Sequence, residues 1–269
     1  MSPEPAAKST RVWLLAGAAV VVLAAVGLVA WLVIPGRSHS SSSTSSGPRI
    51  TGEAVKQVLL GGTELTAMLG QPFTSTTGSP TYGGLDQMEE PATSSDCVGV
   101  MNVAPRHVYQ YANVQSYARE TWAGTAPGDA GPNQLTTKVM FVEESVVALP
   151  SAADAQALFA KFTERWKQCD GRALNHGPDV ADVDNPPLLP GTEIHIGDVQ
   201  ITDTVLAASI ALDRRPEAPD TRAVGVQGNC IIGVLIAFTG AENATGSADP
   251  KTSSIDMVQA MMAKAAKLS

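Results

Sequence analysis

An uninterrupted apolar stretch near the N-terminus constrains the chain more than any other feature. Residues 12–34, from Val12 to Ile34, contain no charged residue and no Ser, Thr, Asn, Gln or His. A helix rises about 1.5 Å per residue, so this stretch would be about 34 Å long and could cross a hydrocarbon core of about 30 Å. No second stretch of comparable length follows. The sequence therefore predicts one membrane-spanning helix, and it argues against a cytosolic enzyme and against a polytopic transporter.

A cleavable signal peptide is the alternative explanation of the same stretch. Its apolar core would be about 7–15 residues long and would end at a small-residue cleavage site. The stretch here is longer, and Trp13 and Trp31 lie near its two ends, where interfacial aromatic side chains are expected. No Cys lies within it or directly after it, which argues against a lipoprotein signal. These features favour an uncleaved anchor over residues 12–34.

The two flanks of the apolar stretch predict its orientation. Lys8 and Arg11 precede it and one cation follows it, so the positive-inside rule weakly favours a cytoplasmic N-terminus. The tail of residues 1–11 is too short to fold, and the working part of the chain is therefore expected outside the cytoplasm. Residues 35–49 are rich in serine and predict a flexible linker. Residues 50–269 are then the extracytoplasmic domain.

The charge of this domain excludes one class of partner. The whole chain has a formal net charge of −8, but residues 1–47 carry +2, so the remainder carries −10. An acidic surface repels the phosphates of nucleic acids, which need a cationic binding surface. It also repels anionic lipid headgroups. We therefore expect no nucleic-acid partner, and we expect a domain that projects away from the membrane.

Two segments of the domain have strong helical signals. In Ser151–Gln168, Ser151 can cap the helix while Asp154, three residues later, lies at the positive end of the helix dipole. Apolar residues then recur at spacings of three and four, which predicts one buried face. Ser253–Leu268 repeats the pattern with Ser253 as the cap and Asp256 behind it. A weaker helix is predicted over Thr51–Leu60, followed by a short turn over Glu64–Leu69.

Most of the remaining regular segments are typical of strands. Three runs are rich in Val, Ile, Leu and Ala, as buried strands often are: Val139–Leu149, Thr204–Leu212 and Cys230–Phe238. Tyr109–Trp122 is more polar and predicts a half-exposed strand. Residues 194–201 alternate but change phase at Gly197 and Asp198, which fits either a bulge or a tight hairpin turn. The pattern predicts the α+β class, with an antiparallel sheet packed by two or three helices.

The order of several short motifs resembles a known family. The motifs are VLLGGTELTAMLG (58–70), DCVGV (96–100), a Tyr-rich stretch (109–117), FVEESVVALPSAADAQALF (141–159), WKQC (166–169) and GNCIIGVLIAF (228–238). Together with the last helix, they resemble the PknH-like extracellular sensor domain of mycobacterial Ser/Thr kinases and of free-standing actinobacterial envelope proteins. The resemblance covers nearly all of residues 50–268 and includes no kinase domain. It implies a sensor-type ectodomain on its own anchor.

The same resemblance implies one disulfide. The family typically has four cysteines in two disulfides, and Cys97 in DCVGV and Cys169 in WKQC match the first pair. An extracytoplasmic compartment permits the bond. The other two family positions have no cysteine here, so the second disulfide is expected to be missing. Cys230 lies within an apolar strand instead, where we expect a buried thiol, with an intermolecular disulfide as the alternative.

The sequence contains no recognisable catalytic motif. It has no GxSxG elbow, no HExxH motif, no Walker loop and no GxGxxG after a strand. His107, His176 and His195 are far apart in sequence and share no ligand-like spacing. The acidic run that includes Asp179, Asp182 and Asp184 lacks the central Gly and the distal Glu of a calcium loop. We therefore assign no catalytic residue, no metal site and no cofactor.

Two classes of function remain open. The first is a sensing module that binds an envelope or extracellular ligand. The second is a structural domain that scaffolds cell-envelope machinery through protein contacts. Two loops rich in Gly, Pro and Asp, residues 123–133 and 175–191, are candidate functional surfaces, although a plain connector is the default interpretation of each. The binding residues themselves cannot be named from the sequence. A pocket with convergent polar groups would favour the first class, and a large exposed apolar patch would favour the second.

Overall fold

The computed structural model describes residues 49–91, 95–125, 136–175 and 193–269 of the chain. These residues belong to one compact unit. In these four ranges, no helix is both long and apolar enough to span a bilayer. The predicted tail and anchor, and the predicted linker apart from Arg49, lie outside the described residues. So do His176, the three aspartates of the acidic run and most of the two candidate loops.

Five α-helices and two 3-10 turns are present in the described ranges. The helices are α1 (Gly62–Leu69), α2 (Val98–Met101), α3 (Arg106–Tyr109), α4 (Ala152–Cys169) and α5 (Ser253–Leu268). The 3-10 turns cover Gly52–Gln57 and Leu85–Gln87. The two long helices, α4 and α5, are the two that the sequence predicts most clearly.

The strands form one antiparallel sheet. They are β1 (Phe73–Ser75), β2 (Thr81–Gly83), β3 (Ser116–Gly124), β4 (Val139–Ala148), β5 (Ala173–Asn175), β6 (Glu193–Ile201), β7 (Val205–Leu212), β8 (Arg215–Gln227) and β9 (Cys230–Phe238). The order across the sheet is β1-β3-β4-β9-β8-β7-β6-β5, and β2 also pairs with β3. Every strand pairing is antiparallel, which confirms the predicted sheet.

Helices cover both faces of this sheet. On one face, α1 and α5 pack against inward-facing residues such as Val142 and Ile232. On the other face, α2, α3 and α4 pack against residues such as Val147 and Ile231. Because both faces of β9 are covered, all nine of its residues are buried and it reads as a continuous apolar run.

The N-termini of α4 and α5 are built differently, although the sequence predicts the same cap for both. Ser151 caps α4 as predicted, because its Oγ accepts a hydrogen bond of 3.1 Å from the Asp154 N–H. The prediction for α5 is wrong. Its N-cap is Thr252, which makes no side-chain cap bond, and the Ser253 Oγ instead accepts a bond of 2.8 Å from the N–H of Asp249.

Three predicted elements need correction. The strand predicted over Tyr109–Trp122 begins only at Ser116, because Tyr109 ends α3 and a loop follows it. The weak helix over Thr51–Leu60 is a six-residue 3-10 turn. The short turn predicted over Glu64–Leu69 is part of the α-helix α1. The helices and the turn observed in these three places are short, so tertiary packing rather than local periodicity determines their conformation.

The phase change in residues 194–201 is a bulge and not a hairpin. Strand β6 continues through it, its register with β7 shifts between Gly197 and Gln200, and Asp198 has a φ of 53°.

Strand β8 is not predicted by the sequence pattern. Its first part contains Pro216 and Pro219, which lie where the register with β7 is interrupted, and a proline cannot donate to the strand ladder.

Candidate functional site

A groove lies between α4 and the segment 95–108 that contains α2 and α3. Its volume is about 710 Å³, which is in the range of about 300–1,000 Å³ typical of small-molecule sites. The apolar side chains that line it are Val98, Val108, Leu158, Phe162 and Trp166. The charged or titratable side chains that line it are Asp96, His107, Lys161, Glu164 and Arg165. The first set is largely buried and forms the floor, whereas the second set is more exposed and forms the rim.

A disulfide ties the two walls of the groove together. Cys97 is the N-cap of α2 and Cys169 is the last residue of α4, and the two sulfur atoms are bonded, with the Cα atoms 5.7 Å apart. The neighbours of both cysteines line the groove: Asp96 and Val98 on one wall, and Gln168 on the other. The bond therefore fixes the spacing of the two walls at this point. It also confirms the pairing that the family resemblance implies.

The charged or titratable side chains of the rim have side-chain partners, with one exception. Arg165 Nη1 lies 3.5 Å from Asp96 Oδ1, across the groove. His107 Nδ1 lies 2.6 Å from Glu90 Oε1. Glu164 Oε1 accepts a bond of 2.8 Å from Lys167 Nζ on the same helix. Within the part of the chain that the structure describes, Lys161 has no acidic partner.

A fully buried arginine supports the inner wall of the groove. Arg222, on β8, is 1% exposed, and its Nε donates to the Asn102 carbonyl oxygen at 3.4 Å, while its Nη1 donates to the Val234 carbonyl oxygen at 2.8 Å. Burial lowers the pKa of Arg222 to about 10. The bond to Asn102 holds the loop between α2 and α3. This loop contains Ala104 at a φ of 47°, a strained conformation for a residue with a Cβ.

A second charged cluster lies on the same face of the sheet. Arg119 Nε, on β3, is 2.8 Å from Glu143 Oε1 on β4, and Arg119 Nη1 also contacts Glu89. Burial by itself would lower the pKa of Arg119, but the two carboxylates raise it. Burial raises the pKa of Glu143, against the opposing effect of Arg119. The contact with Glu89 connects the sheet to the chain segment that leads toward the groove wall.

A carboxyl group on the opposite face of the sheet holds the N-terminal segment of the domain. Glu144 is fully buried, and its two oxygens accept bonds from the Trp122 Nε1–H at 3.0 Å and from the Leu60 N–H at 2.9 Å. Glu120 lies directly across from it on β3 and is also buried. Burial raises the pKa of Glu144 to about 8, although the bond from Leu60 opposes the shift. The group therefore stays protonated at neutral pH.

The residues singled out in the sequence have distinct locations. Cys230 is a buried free thiol, as expected, and burial raises its pKa to about 12. His107 lines the groove, whereas His195 lies on β6, with its Nε2 3.7 Å from Glu193 Oε2. The structure does not bring these two histidines together. In the four described ranges, no group of three or more His, Cys, Asp or Glu side chains is placed to hold a metal ion.

The sequence reasoning missed Arg222, Arg165 and Lys161. For Arg222 a signal exists, since a single arginine stands among the small and apolar residues of TRAVGV (221–226), and such a charge has to be compensated if the strand is buried. Arg165 and Lys161 are ordinary exposed residues of a helix. They become candidate ligand-binding residues only because the disulfide holds the opposite wall of the groove beside them.

The fold and the groove together define a class of protein: a domain with one antiparallel sheet between two helical layers and a surface groove of small-molecule size. The model of the PknH-like extracellular domain family matches residues 50–264. The chain therefore belongs to this family, which confirms the resemblance seen in the motifs and supports an extracytoplasmic domain of the sensor type.

The fold is similar to that of a solved structure. The crystal structure of the extracellular domain of PknH from Mycobacterium tuberculosis matches with a TM-score of 0.62 and a sequence identity of 18%. The match covers 81% of this chain and 98% of that chain. At this identity the likeness establishes the fold and nothing further about the ligand. The comparison with curated proteins gives no match.

Proposed function

We propose that the chain is a membrane-anchored, extracytoplasmic sensor-type module that binds an envelope or extracellular ligand in the groove along α4 and performs no catalysis itself. The groove carries this proposal, because it combines a volume of about 710 Å³ with an apolar floor and a charged rim. Family membership and the apolar stretch of residues 12–34 support the anchored, extracytoplasmic arrangement. The partners are then the membrane, through residues 12–34, and a ligand of the envelope or the medium.

The scaffolding alternative has less support. A protein-interaction surface would expose a contiguous apolar patch of several hundred Å². In the described ranges, the large apolar side chains that are exposed are Tyr111, Ile201 and Leu268. They lie on a loop, at the end of β6 and at the end of α5. These three residues lie on three different elements, and the groove is the better candidate for the working surface.

Ligand discovery by thermal shift tests the proposal. The full chain in lipid nanodiscs is screened against lipids, glycans and peptidoglycan fragments, because a ligand at about 100 times its dissociation constant stabilises a folded protein by about 2.7 kcal/mol. In a Gly99→Trp variant, the ligand-induced thermal shift should be absent. Gly99 lines the groove, and a Cβ there meets only the Val108 methyl groups, at 3.7 Å and 3.9 Å, so the indole can enter the groove.

The matched control is Gly197→Trp, at a position on β6 where an added Cβ meets no heavy atom within 4 Å. This variant should keep the ligand-induced shift. A screen without any stabilising compound, or a shift that survives Gly99→Trp, would count against ligand binding in the groove.

The membrane topology has a separate test. Alkaline phosphatase, which is active only outside the cytoplasm, is fused after Ser269, and a cytosolic reporter is fused there in a parallel strain. Phosphatase activity with a silent cytosolic reporter is expected. The reverse result would contradict the extracytoplasmic location of the domain.

A further inference from the structure

The charged side chains on the rim of the groove differ in whether a partner of opposite charge neutralises them, and this difference indicates which ligand the groove can bind. Lys161 and Arg165 are separated by one helical turn, so they lie on the same side of α4 and both line the groove. Glu164, which lies between them in sequence, is bonded to Lys167. Lys161 has no acidic partner in the described part of the chain, and Arg165 is paired only with Asp96 of the opposite wall. The rim therefore presents two neighbouring cations.

The Asp96 carboxylate already occupies part of this cationic pair. Its Oδ1 lies 3.5 Å from Arg165 Nη1, and the two side chains are 75% and 50% exposed. Exposed ion pairs of this kind contribute only about 0–1 kcal/mol, so another carboxylate can replace Asp96 at little cost. Asp96 thus marks the position where the acid group of a ligand would bind. An apolar floor lies directly beside it, formed in part by Val98 and Phe162.

We propose that the groove binds a small, free amphiphilic acid: an apolar body on the floor, with one carboxylate between Lys161 and Arg165 in place of Asp96. This proposal rests on the proposed ligand-binding function and names the ligand class. The size of the groove, about 710 Å³, fits a small molecule. Because the charges are exposed, added salt weakens the binding of the acid.

The experiment compares three probes of the same chain length. Hexanoate, hexanol and hexylammonium are titrated into the full chain in phosphatidylcholine nanodiscs, and the methyl NMR signals of Val98, Val108 and Leu158 report on the groove. Val258, a buried residue of α5 on the opposite face of the sheet, is the internal reference. We expect hexanoate to shift the three groove methyl signals at lower concentration than hexanol, and hexylammonium to bind most weakly.

Three variants separate the charge effect from simple apolar binding. Lys161→Met should weaken hexanoate binding by about threefold, which is typical of one exposed charge contact. Asp96→Asn should strengthen it by about the same factor, because the competing carboxylate is gone. Lys251→Met removes an exposed lysine before α5, outside the groove, and should change nothing. None of the three should alter the binding of hexanol.

The outcomes distinguish this inference from the proposed function. Equal binding of hexanoate and hexanol in the groove, with no effect of Lys161→Met, would overturn the acid specificity and leave the groove as a ligand site. Absence of any shift of the groove methyl signals with all three probes would count against both. If phosphatidylglycerol nanodiscs alone shifted these signals, the groove would bind a lipid headgroup and the proposal of a free acid would be wrong.

Discussion

Gly233 is the residue that allows Arg222 to be buried. A Cβ at this position would lie 2.9 Å from Ser145 Oγ, closer than real Cβ contacts allow, and 3.0 Å from Arg222 Nη2, tighter than most real Cβ contacts. The guanidinium therefore lies against the bare backbone of β9, where it reaches the carbonyl oxygen of Val234. Gly233→Ala should destabilise the domain by about 1–3 kcal/mol, because the buried charge or its hydrogen bonds have to move. Urea unfolding measures this loss.

Gly197→Ala is the control for Gly233→Ala, since an added Cβ at Gly197 meets nothing within 4 Å. It should change the free energy of unfolding by no more than about 0.5 kcal/mol. Equal stabilities of the two variants would show that Arg222 does not depend on the space above Gly233.

The raised pKa of Glu144 predicts that the stability of the domain falls as pH rises. In the unfolded chain a glutamate ionises with its ordinary pKa of 4.5, whereas in the folded domain Glu144 keeps its proton up to a pKa of about 8. Between these values the folded state binds more protons, so this group makes the free energy of unfolding fall as pH rises. The slope is at most about 1.4 kcal/mol per pH unit, and it disappears above about pH 8.

The matched variant is Glu144→Gln, which cannot ionise. Its amide can accept only one of the two N–H groups of Trp122 and Leu60, so at pH 5, where wild-type Glu144 is protonated, we expect the variant to be less stable than the wild type by about 1–3 kcal/mol. Urea unfolding of both proteins from pH 5 to pH 9 should show that the wild type loses stability relative to the variant as pH rises. A constant difference across this range would contradict the raised pKa.

Single residues also show why the sequence reveals buried charges only in part. Glu143 and Glu144 interrupt an apolar run, and the alternation of a strand requires that they point to opposite faces. That both faces are covered by helices, so that Glu144 is buried and the Glu143 side chain is only 13% exposed, depends on segments far away in sequence. That Glu143 pairs with Arg119, and that Glu144 accepts a hydrogen bond from the Leu60 N–H, can therefore be seen only in the folded chain.

At the scale of elements, α4 begins with a complete cap and α5 does not. The Ser151 Oγ accepts from the Asp154 N–H at 3.1 Å, whereas Thr252 makes no side-chain cap bond. Ser151→Ala should therefore lower the free energy of unfolding by about 1 kcal/mol. Thr252→Ala should lower it by a few tenths at most. Thermal unfolding monitored by circular dichroism compares the two, and an equal loss would contradict the assignment of the caps.

The two long helices and the apolar strands were predictable because each contains enough residues for its periodicity to dominate. Strand β8 was not, because two prolines and several charges in Arg215–Gln227 resemble a loop. It is a strand because β7 and β9 flank it and supply hydrogen bonds on both sides. The loop before β3 was misread for the opposite reason, since its aromatic residues suggest a strand while Tyr109 in fact ends α3 and packs against Phe162.

For the whole molecule, the Cys97–Cys169 disulfide closes a loop with a sequence separation of 72. In the chain-entropy model, a loop of this length stabilises the folded state by about 4 kcal/mol. The double variant Cys97→Ser, Cys169→Ser should lose stability on this scale in urea unfolding. It should also weaken ligand binding in the groove, because the bond fixes the spacing of the two walls.

Cys230→Ala is the control for the disulfide, since Cys230 is buried but forms no disulfide. It should cost about 1 kcal/mol and leave the disulfide intact in non-reducing peptide mapping. A similar loss from the single variant and the double variant would show that the bond contributes little beyond the packing of its sulfur atoms.

The sequence by itself determined the 23-residue apolar stretch, the acidic charge of the remaining chain, the α+β class, the two long helices and, through the motif order, the family and its cysteine pair. Each of these is a local or compositional property, so it can be counted along the chain. Only the tertiary structure decided which face each helix covers, that Arg222 and Glu144 are buried, and that Asp96 faces Arg165 across a groove. These depend on contacts between segments dozens of residues apart, which the local pattern of one sequence does not specify.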